Sequence, residues 1–268
     1  MRKSKAFTLV ELLVVIGIIA LLISILLPAL QKAKKEANKI NCLSNIRTIN
    51  QAIVMYESEN KAFMPFPNWG NPGDGGAYRY GWLYQTTGDA STPNVPKSGG
   101  PYSEQDAKSG LIYQYIKQIG VLHCPLHDFR DGTPRTQTAW MTSYMMNGAT
   151  IAYGDNTRTH PQLGRATKSP PAFRVTAFKQ PADKILMWEA YEDKNPNGPS
   201  WNDGSSYPDE NTLTDRHGLG ASVSFFDGHV EYYDRQLFNH LALGPTSQYP
   251  APNALWCAPN LNKGGDRH

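Results

Sequence analysis

Apolar residues fall in three patterns along this chain. From Leu12 to Leu30 they run without a charged side chain, and at about 1.5 Å per residue such a helix nearly matches the ~30 Å hydrocarbon thickness of a bilayer. Farther on, Ala33, Ala37, Ile40, Leu43, Ile46, Ile49, Ile53 and Tyr56 recur at spacings of three or four, with Lys32, Lys35, Glu36, Lys39 and Arg47 between them. That spacing gives a helix one apolar face for a domain to pack on. No turn signal separates the two patterns, so they predict one nearly continuous helix from about Phe7 to Glu59, bent near Pro28 and ended by Asn60, Pro65 and Pro67. Its inner half, residues 7–30, spans a membrane, and its outer half, residues 31–60, serves as a spine.

The third pattern is a series of short apolar runs broken by Gly, Pro and Asn. Tyr78, Tyr80, Trp82 and Tyr84 nearly alternate, as a short strand or an aromatic-lined loop would. Ser109 to Gly120 reads as a short helix, and Val121 to Pro125 as the end of a strand. Thr138 to Asn147 is predicted as a strand that turns at Asn147-Gly148, and Ala182 to Ala190 as a central strand with Glu189 at its end. Between Ser222 and Tyr233, strand residues flank Asp227-Gly228, a strong short-range hairpin signal. The tail after Tyr233, through Leu237 to Leu241 into a Pro- and Asn-rich end, is expected to carry little structure. The expected architecture is α+β: a long helix packed along its outer half against an antiparallel sheet with long loops, the domain occupying residues 61–268.

Composition narrows the function classes. The 268 residues carry a net charge of only +3, and no basic stripe interleaved with aromatics occurs, so nucleic-acid binding is not indicated. There is no Gly-x-Ser-x-Gly elbow, phosphate-cradling glycine loop or dinucleotide fingerprint, which leaves an enzyme reading without residues to carry it. Arg2, Lys3 and Lys5 favour a cytoplasmic N-terminus, with Lys32, Lys34 and Lys35 competing from the far side of the apolar run. A secretory signal peptide would need a shorter apolar core and a small-residue cleavage site, neither of which is present.

One carboxylate, Glu11, lies inside the first turns of the apolar helix, where an ionisable group is costly and usually functional. Together with its flanks it reads Ala6-Phe7-Thr8-Leu9-Val10-Glu11 behind a short basic leader, Met1 to Ala6. This resembles the N-terminal signature of type IV pilins and type II secretion pseudopilins, with Ala6 where Gly is usual. The resemblance implies cleavage between Ala6 and Phe7 by prepilin peptidase, followed by N-methylation of Phe7. Glu11 would neutralise the new ammonium on Phe7, within the chain across one helical turn or, as the resemblance implies, on a neighbouring subunit of a filament. Pro28 corresponds to the position where pilin helices kink. His217, nine intervening residues and Asp227-Gly228 resemble the H-X9-DG element of planctomycete-type prepilin-like proteins. Cys42-Leu-Ser-Asn45, Cys124-Pro125 and Ser143 to Asn147 resemble other recurrent pieces of that branch.

Candidate chemistry outside the helix is thinner. His217, Asp227 and His229 offer imidazole and carboxylate for metal binding or acid-base work, but the plainer reading has Asp227 serving the turn and His217 closing the hairpin's base. His123, Cys124 and His127 are three zinc-ligand types within five residues, without a second ligand pair at familiar spacing. Asp193, Asn195, Asn197 and Asp203 crowd oxygen donors into one loop that fails the EF-hand spacing. Calcium there rests on the resemblance to major pseudopilins, and an ordinary solvated loop is the competing reading. Cys42, Cys124 and Cys257 allow one disulfide and a free thiol, with Cys42 to Cys124 a conceivable helix-to-sheet bridge, or three separate thiols. The expected function is a structural subunit of a pilus-like or pseudopilus filament: not an enzyme, without a required cofactor, anchored in the inner membrane with its domain outside the cytoplasm, and partnered by prepilin peptidase and related subunits. The competing reading is a membrane-tethered domain that binds a ligand or metal around His217 and Asp227.

Overall fold

The computed structural model describes residues 8–68, 81–84, 104–127, 141–151, 174–178, 180–190, 204–206 and 213–243. Its dominant element is α1, Leu9–Glu59, a helix of 51 residues and roughly 75 Å. Thr8 caps its start: the Thr8 hydroxyl accepts from the Glu11 amide at 3.3 Å, and the Glu11 carboxylate accepts from the Thr8 amide at 2.8 Å. This reciprocal pair satisfies two of the donors that a helix N-terminus leaves open. Pro28 sits inside the helix, which continues through it. At the far end the Asn60 side chain donates to the Tyr56 carbonyl at 2.7 Å, and Lys61 and Ala62 take positive φ values of 56° and 65°, which end the helix without a glycine.

The outer half of α1 buries Cys42, Ile46, Ile49, Ala52 and Ile53. Full burial of an isoleucine is worth about 1.5–3 kcal/mol, so this face holds the helix to the domain by hydrophobic burial. The face is shorter than its periodicity predicts: Ile40 is 64% exposed, and burial begins in the turn that carries Asn38 and Lys39. Periodicity identifies an apolar stripe but not how far along it a partner reaches.

The sheet has the order β3-β1-β2-β4-β5. Its strands are β1 (Tyr144–Asn147), β2 (Ile185–Glu189), β3 (Ser205–Ser206), β4 (Gly220–Phe225) and β5 (Val230–Asp234). All pairings are antiparallel except the two-residue parallel contact of β3 with β1. The central strand β2 is buried along its whole length, as its run of Ile, Leu, Met and Trp requires. Alternate residues feed two cores. Tyr144 and Met146 join the cluster around Ile46, Ile49 and Ile53, whereas Met145, Ala221, Val223 and Phe225 join one around Trp188 and Phe238. Ser222 and Ser224 therefore fall on the helix side, where small residues let α1 approach, and the buried Asn50 amide donates to the Phe225 carbonyl at 3.1 Å.

The β4–β5 hairpin turns at Phe226, Asp227 and Gly228, with Gly228 at φ +96° and Asp227 Oδ1 accepting from the His229 amide at 3.0 Å. Two predicted elements are corrected. Ser109 to Gly120 is broken into a single turn, α3 (Tyr113–Ile116), following the separate turn α2 (Glu104–Ala107), because the Leu111 and Ile112 amides donate instead to the carbonyls of Gly81 and Trp82. Val121 to Pro125 is not a strand; a 3₁₀ turn, Ile119–Leu122, precedes Cys124. The tail after Tyr233 is also more ordered than expected. Asp234 caps α4 (Arg235–Leu243) by accepting from the Leu237 amide at 2.9 Å, and Phe238 is fully buried against Trp188 with ring centroids 6.3 Å apart. Thus α1 covers one face of the sheet and α4 the other.

Glu57, near the end of α1, is only 7% exposed, and burial pushes its carboxyl up from 4.5 to about 7. An acid whose folded value exceeds its unfolded one favours the protonated state, so the fold loses stability as pH rises from about 4.5 through 7. The shift corresponds to on the order of 3 kcal/mol. Glu57→Gln is therefore expected to raise the melting temperature at pH 8 and to leave it nearly unchanged at pH 4, as read by calorimetry. An equal gain at both values would remove the titration from the explanation.

Candidate functional site

Among the described residues, two regions carry chemistry. The first is the inner part of α1, which is long and apolar enough to cross a membrane and has no residue of that apolar window buried by the domain. Large side chains from Leu9 to Leu30 stand exposed, including Leu9 at 74% and Leu30 at 66%. Glu11 lies on this surface, its carboxylate held by the Thr8 amide and the Thr8 hydroxyl, each at 2.8 Å. Pro28 has no amide to donate, so the Ser24 carbonyl lacks its usual helical partner, while the Ser24 hydroxyl donates back to the Leu21 carbonyl at 2.7 Å.

The second region is a buried cluster where α1, the sheet and two loops meet. Cys42 comes from α1, Cys124 from the segment after the 3₁₀ turn, Glu189 from the end of β2 and His217 from the turn before β4; one ligand atom of each lies within 4.8 Å of all the others. Each position has a local cause. The register of β2 against β4 shifts between Ile185 and Met187, and this irregularity changes which face the later residues meet. Ile185 and Trp188 share the α4 side, while Leu186 and Met187 both face α1. Glu189 then follows Met187 onto the helix side.

Cys124 is held by Ser143, whose hydroxyl accepts from the Cys124 amide at 2.8 Å. The Asn45 side chain, one turn along from Cys42, donates to the His123 carbonyl at 2.9 Å and ties the helix to the same segment. His217 sits in a tight turn that ends at Gly218, φ +98°, and its carbonyl accepts from the Tyr232 hydroxyl at 3.1 Å.

Inside the cluster, His217 Nε2 is 3.1 Å from Glu189 Oε1 and 3.4 Å from Cys124 Sγ. Arg216 Nη1 donates to Glu189 Oε1 at 3.2 Å, its Nη2 donates to the Ala190 carbonyl, and the Ser222 amide reaches Glu189 Oε2 at 3.4 Å. The Leu126 amide donates to Cys124 Sγ at 3.4 Å. Burial would raise the Glu189 carboxyl, but hydrogen bonding to His217 and the charge of Arg216 hold it below the usual carboxylate range. Burial would lower His217, yet its bonds to Cys124 and Glu189 lift it to about 9. A hydrogen bond from Cys42 lowers Cys124 to about 6 against the effect of burial, and the same bond, joined by burial, pushes Cys42 up. The arrangement favours a thiolate on Cys124 beside a charged imidazole, and it offers sulfur, nitrogen and oxygen donors to one point.

The candidates from the sequence are redistributed accordingly. His217 and Asp227 do not converge. The six residues of β4 separate them, Asp227 pairs with His229 Nδ1 at 2.6 Å in the exposed turn, and His217 points inward at Cys124 and Glu189. Of the trio His123, Cys124 and His127, only Cys124 joins the cluster; His127 Nδ1 is bound to the Ser143 hydroxyl at 2.8 Å, and burial depresses its ring to about 2. Cys42 and Cys124 are unbridged thiols. Ala6, Phe7, Cys257 and the loop donors Asp193, Asn195, Asn197 and Asp203 lie outside the described residues. Sequence reasoning set Cys42 beside Cys124 as a conceivable disulfide, singled out His217 apart from them and missed Glu189 as their companion; a carboxylate at the end of an otherwise apolar central strand was the available signal.

Residues 1–27 match the family described as the prokaryotic N-terminal methylation motif. About a quarter of the chain is similar to the type IV wide pilus major component of Thermus thermophilus, at 40% identity over 63 residues, covering 24% of this chain and 48% of that protein. It is also similar to the type II secretion system core protein G of Escherichia coli (strain K12), at 38% identity over 68 residues, 25% of this chain and 46% of that protein. The protein of the same name from Vibrio cholerae serotype O1 is 33% identical over 63 residues, 24% of this chain and 43% of its own length. The chain thus spans just under half the length of these curated relatives. No solved structure matches it.

Proposed function

We propose that this chain is a structural subunit of a type IV pilus-like or type II secretion pseudopilus filament, made as a precursor and matured by prepilin peptidase. The observation that carries the reading is a coincidence of position. The methylation motif covers residues 1–27, and within it the helix is apolar and exposed from Leu9 to Leu27. An apolar helical surface of this extent is stable in a bilayer or against other such helices, and it would be a liability in water.

On this reading the leader ends at Ala6, Phe7 becomes the N-methylated first residue, and the inner half of α1 anchors the precursor in the inner membrane with its basic leader inside and its domain outside. The same surface later packs against sibling subunits. Glu11 supplies the counter-charge for the Phe7 ammonium, and the chain is the peptidase's substrate rather than an enzyme. Asp193, Asn195, Asn197 and Asp203 remain candidates for calcium on their oxygen donors and on the resemblance to major pseudopilins.

Intact mass and N-terminal sequencing of the protein from a host with the peptidase test the reading. The expected N-terminus is N-methylated Phe7. Recovery of Met1, or of an N-terminus beyond Leu30, would overturn it.

A further inference from the structure

We propose that Cys42, Cys124, Glu189 and His217 form a four-ligand site for a zinc-like divalent cation that fastens the outer half of α1 to the sheet. The donor set is two sulfurs, one nitrogen and one oxygen, all within 4.8 Å of one another. Two thiolates disfavour the hard cations calcium and magnesium, and thiolate with imidazole suits zinc.

Distances support a tetrahedron. With Zn–S near 2.3 Å and Zn–N and Zn–O near 2.05 Å, tetrahedral geometry requires edges of about 3.6 Å between sulfur and nitrogen and about 3.3 Å between nitrogen and oxygen. The observed edges at His217 Nε2 are 3.4 Å to Cys124 Sγ and 3.1 Å to Glu189 Oε1. One imidazole nitrogen thus faces two acceptors at once with at most a single hydrogen to share between them. A cation at that point meets both.

Charge agrees. Two thiolates and one carboxylate bring three negative charges, and a dication with the adjacent Arg216 brings three positive ones, so a largely buried group of ions closes at zero. Binding exchanges the dication for two protons, that of the Cys42 thiol and that of the imidazole Nε2, which leave to solvent. The surrounding contacts are those that orient ligands: Arg216 and the Ser222 amide on Glu189, the Leu126 amide on Cys124 Sγ, and Ser143 on the Cys124 backbone. A disulfide between Cys42 and Cys124 would use neither Glu189 nor His217.

The test uses the full chain in detergent, purified with reductant and without chelator, and counts zinc by elemental mass spectrometry. Near one zinc per chain is expected, with a lower melting temperature after chelation. Cobalt added to the stripped protein should give thiolate charge-transfer bands and d–d bands of tetrahedral intensity. Cys42→Ser and His217→Ala should each weaken cobalt binding by at least about tenfold, with near-ultraviolet circular dichroism reporting the fold. If a variant fails to fold, the wild-type cobalt spectrum alone decides. The proposal is overturned if folded wild-type protein takes up no stoichiometric metal, if the double Cys42→Ser, Cys124→Ser variant binds it equally well, or if the protein from cells carries a Cys42–Cys124 disulfide.

Discussion

Glu11→Val is expected to yield a chain that is cut and methylated normally but is missing from filaments. Valine removes two things at once, the acceptor that closes the capping box with Thr8 and the only charge on the apolar helix surface. A lost cap costs about 1 kcal/mol, too little to undo a helix of 51 residues. On the proposed function, an unpaired ammonium on Phe7 among hydrocarbon side chains would cost several times more, and assembly is where that cost would fall. Glu11→Gln separates the two roles, because an amide oxygen still accepts from the Thr8 amide but carries no charge. Both variants are expected to be processed, by N-terminal mass, and both absent from sheared filaments. Wild-type incorporation of Glu11→Gln would show that capping is all Glu11 does.

Phe238→Ala is the second large effect, an expected loss of about 3–5 kcal/mol. Its ring fills the face of the sheet opposite α1, packed on Trp188 at 6.3 Å and edge-on to Tyr233 at 6.4 Å, with no exposure. For a chain of this size the loss corresponds to a drop of roughly 10 °C in melting temperature. Leu237→Ala serves as the control, since Leu237 is 48% exposed on the same helix and should cost far less. Equal losses from the two variants would mean that α4 is not the cover of that face.

The parts of the fold legible in the sequence are those with a long or sharp local signal. α1 spans enough turns for its apolar stripe to be unmistakable, Asp227-Gly228 marks a turn by backbone chemistry, and Ile185 to Trp188 is a dense apolar run. What stayed hidden depends on distant partners. Ser109 to Gly120 has helical spacing, but its early amides are taken by the 81–84 segment, which no local pattern reveals. Phe238 reads as part of a polar tail because a nine-residue helix offers few apolar positions, and its stability comes from the sheet beneath it. The cluster was hidden for the same reason. Its members are spread from residue 42 to 217, and Glu189 reaches the helix face through a register shift that alternation cannot anticipate.

The place where α1 first becomes buried has a mechanical consequence. From Leu9 to Cys42 the helix runs roughly 50 Å before any side chain is fully covered by the domain. A pull along that shaft enters the domain at the Cys42 turn and then runs parallel to the interface made by Ile46, Ile49 and Ile53. The contacts therefore share the load in shear instead of peeling one after another, and the Asn45–His123 and Asn50–Phe225 hydrogen bonds cross the same plane. Survival under tension is then set by the height of the barrier to rupture along this seam, a kinetic property distinct from the equilibrium stability of the domain.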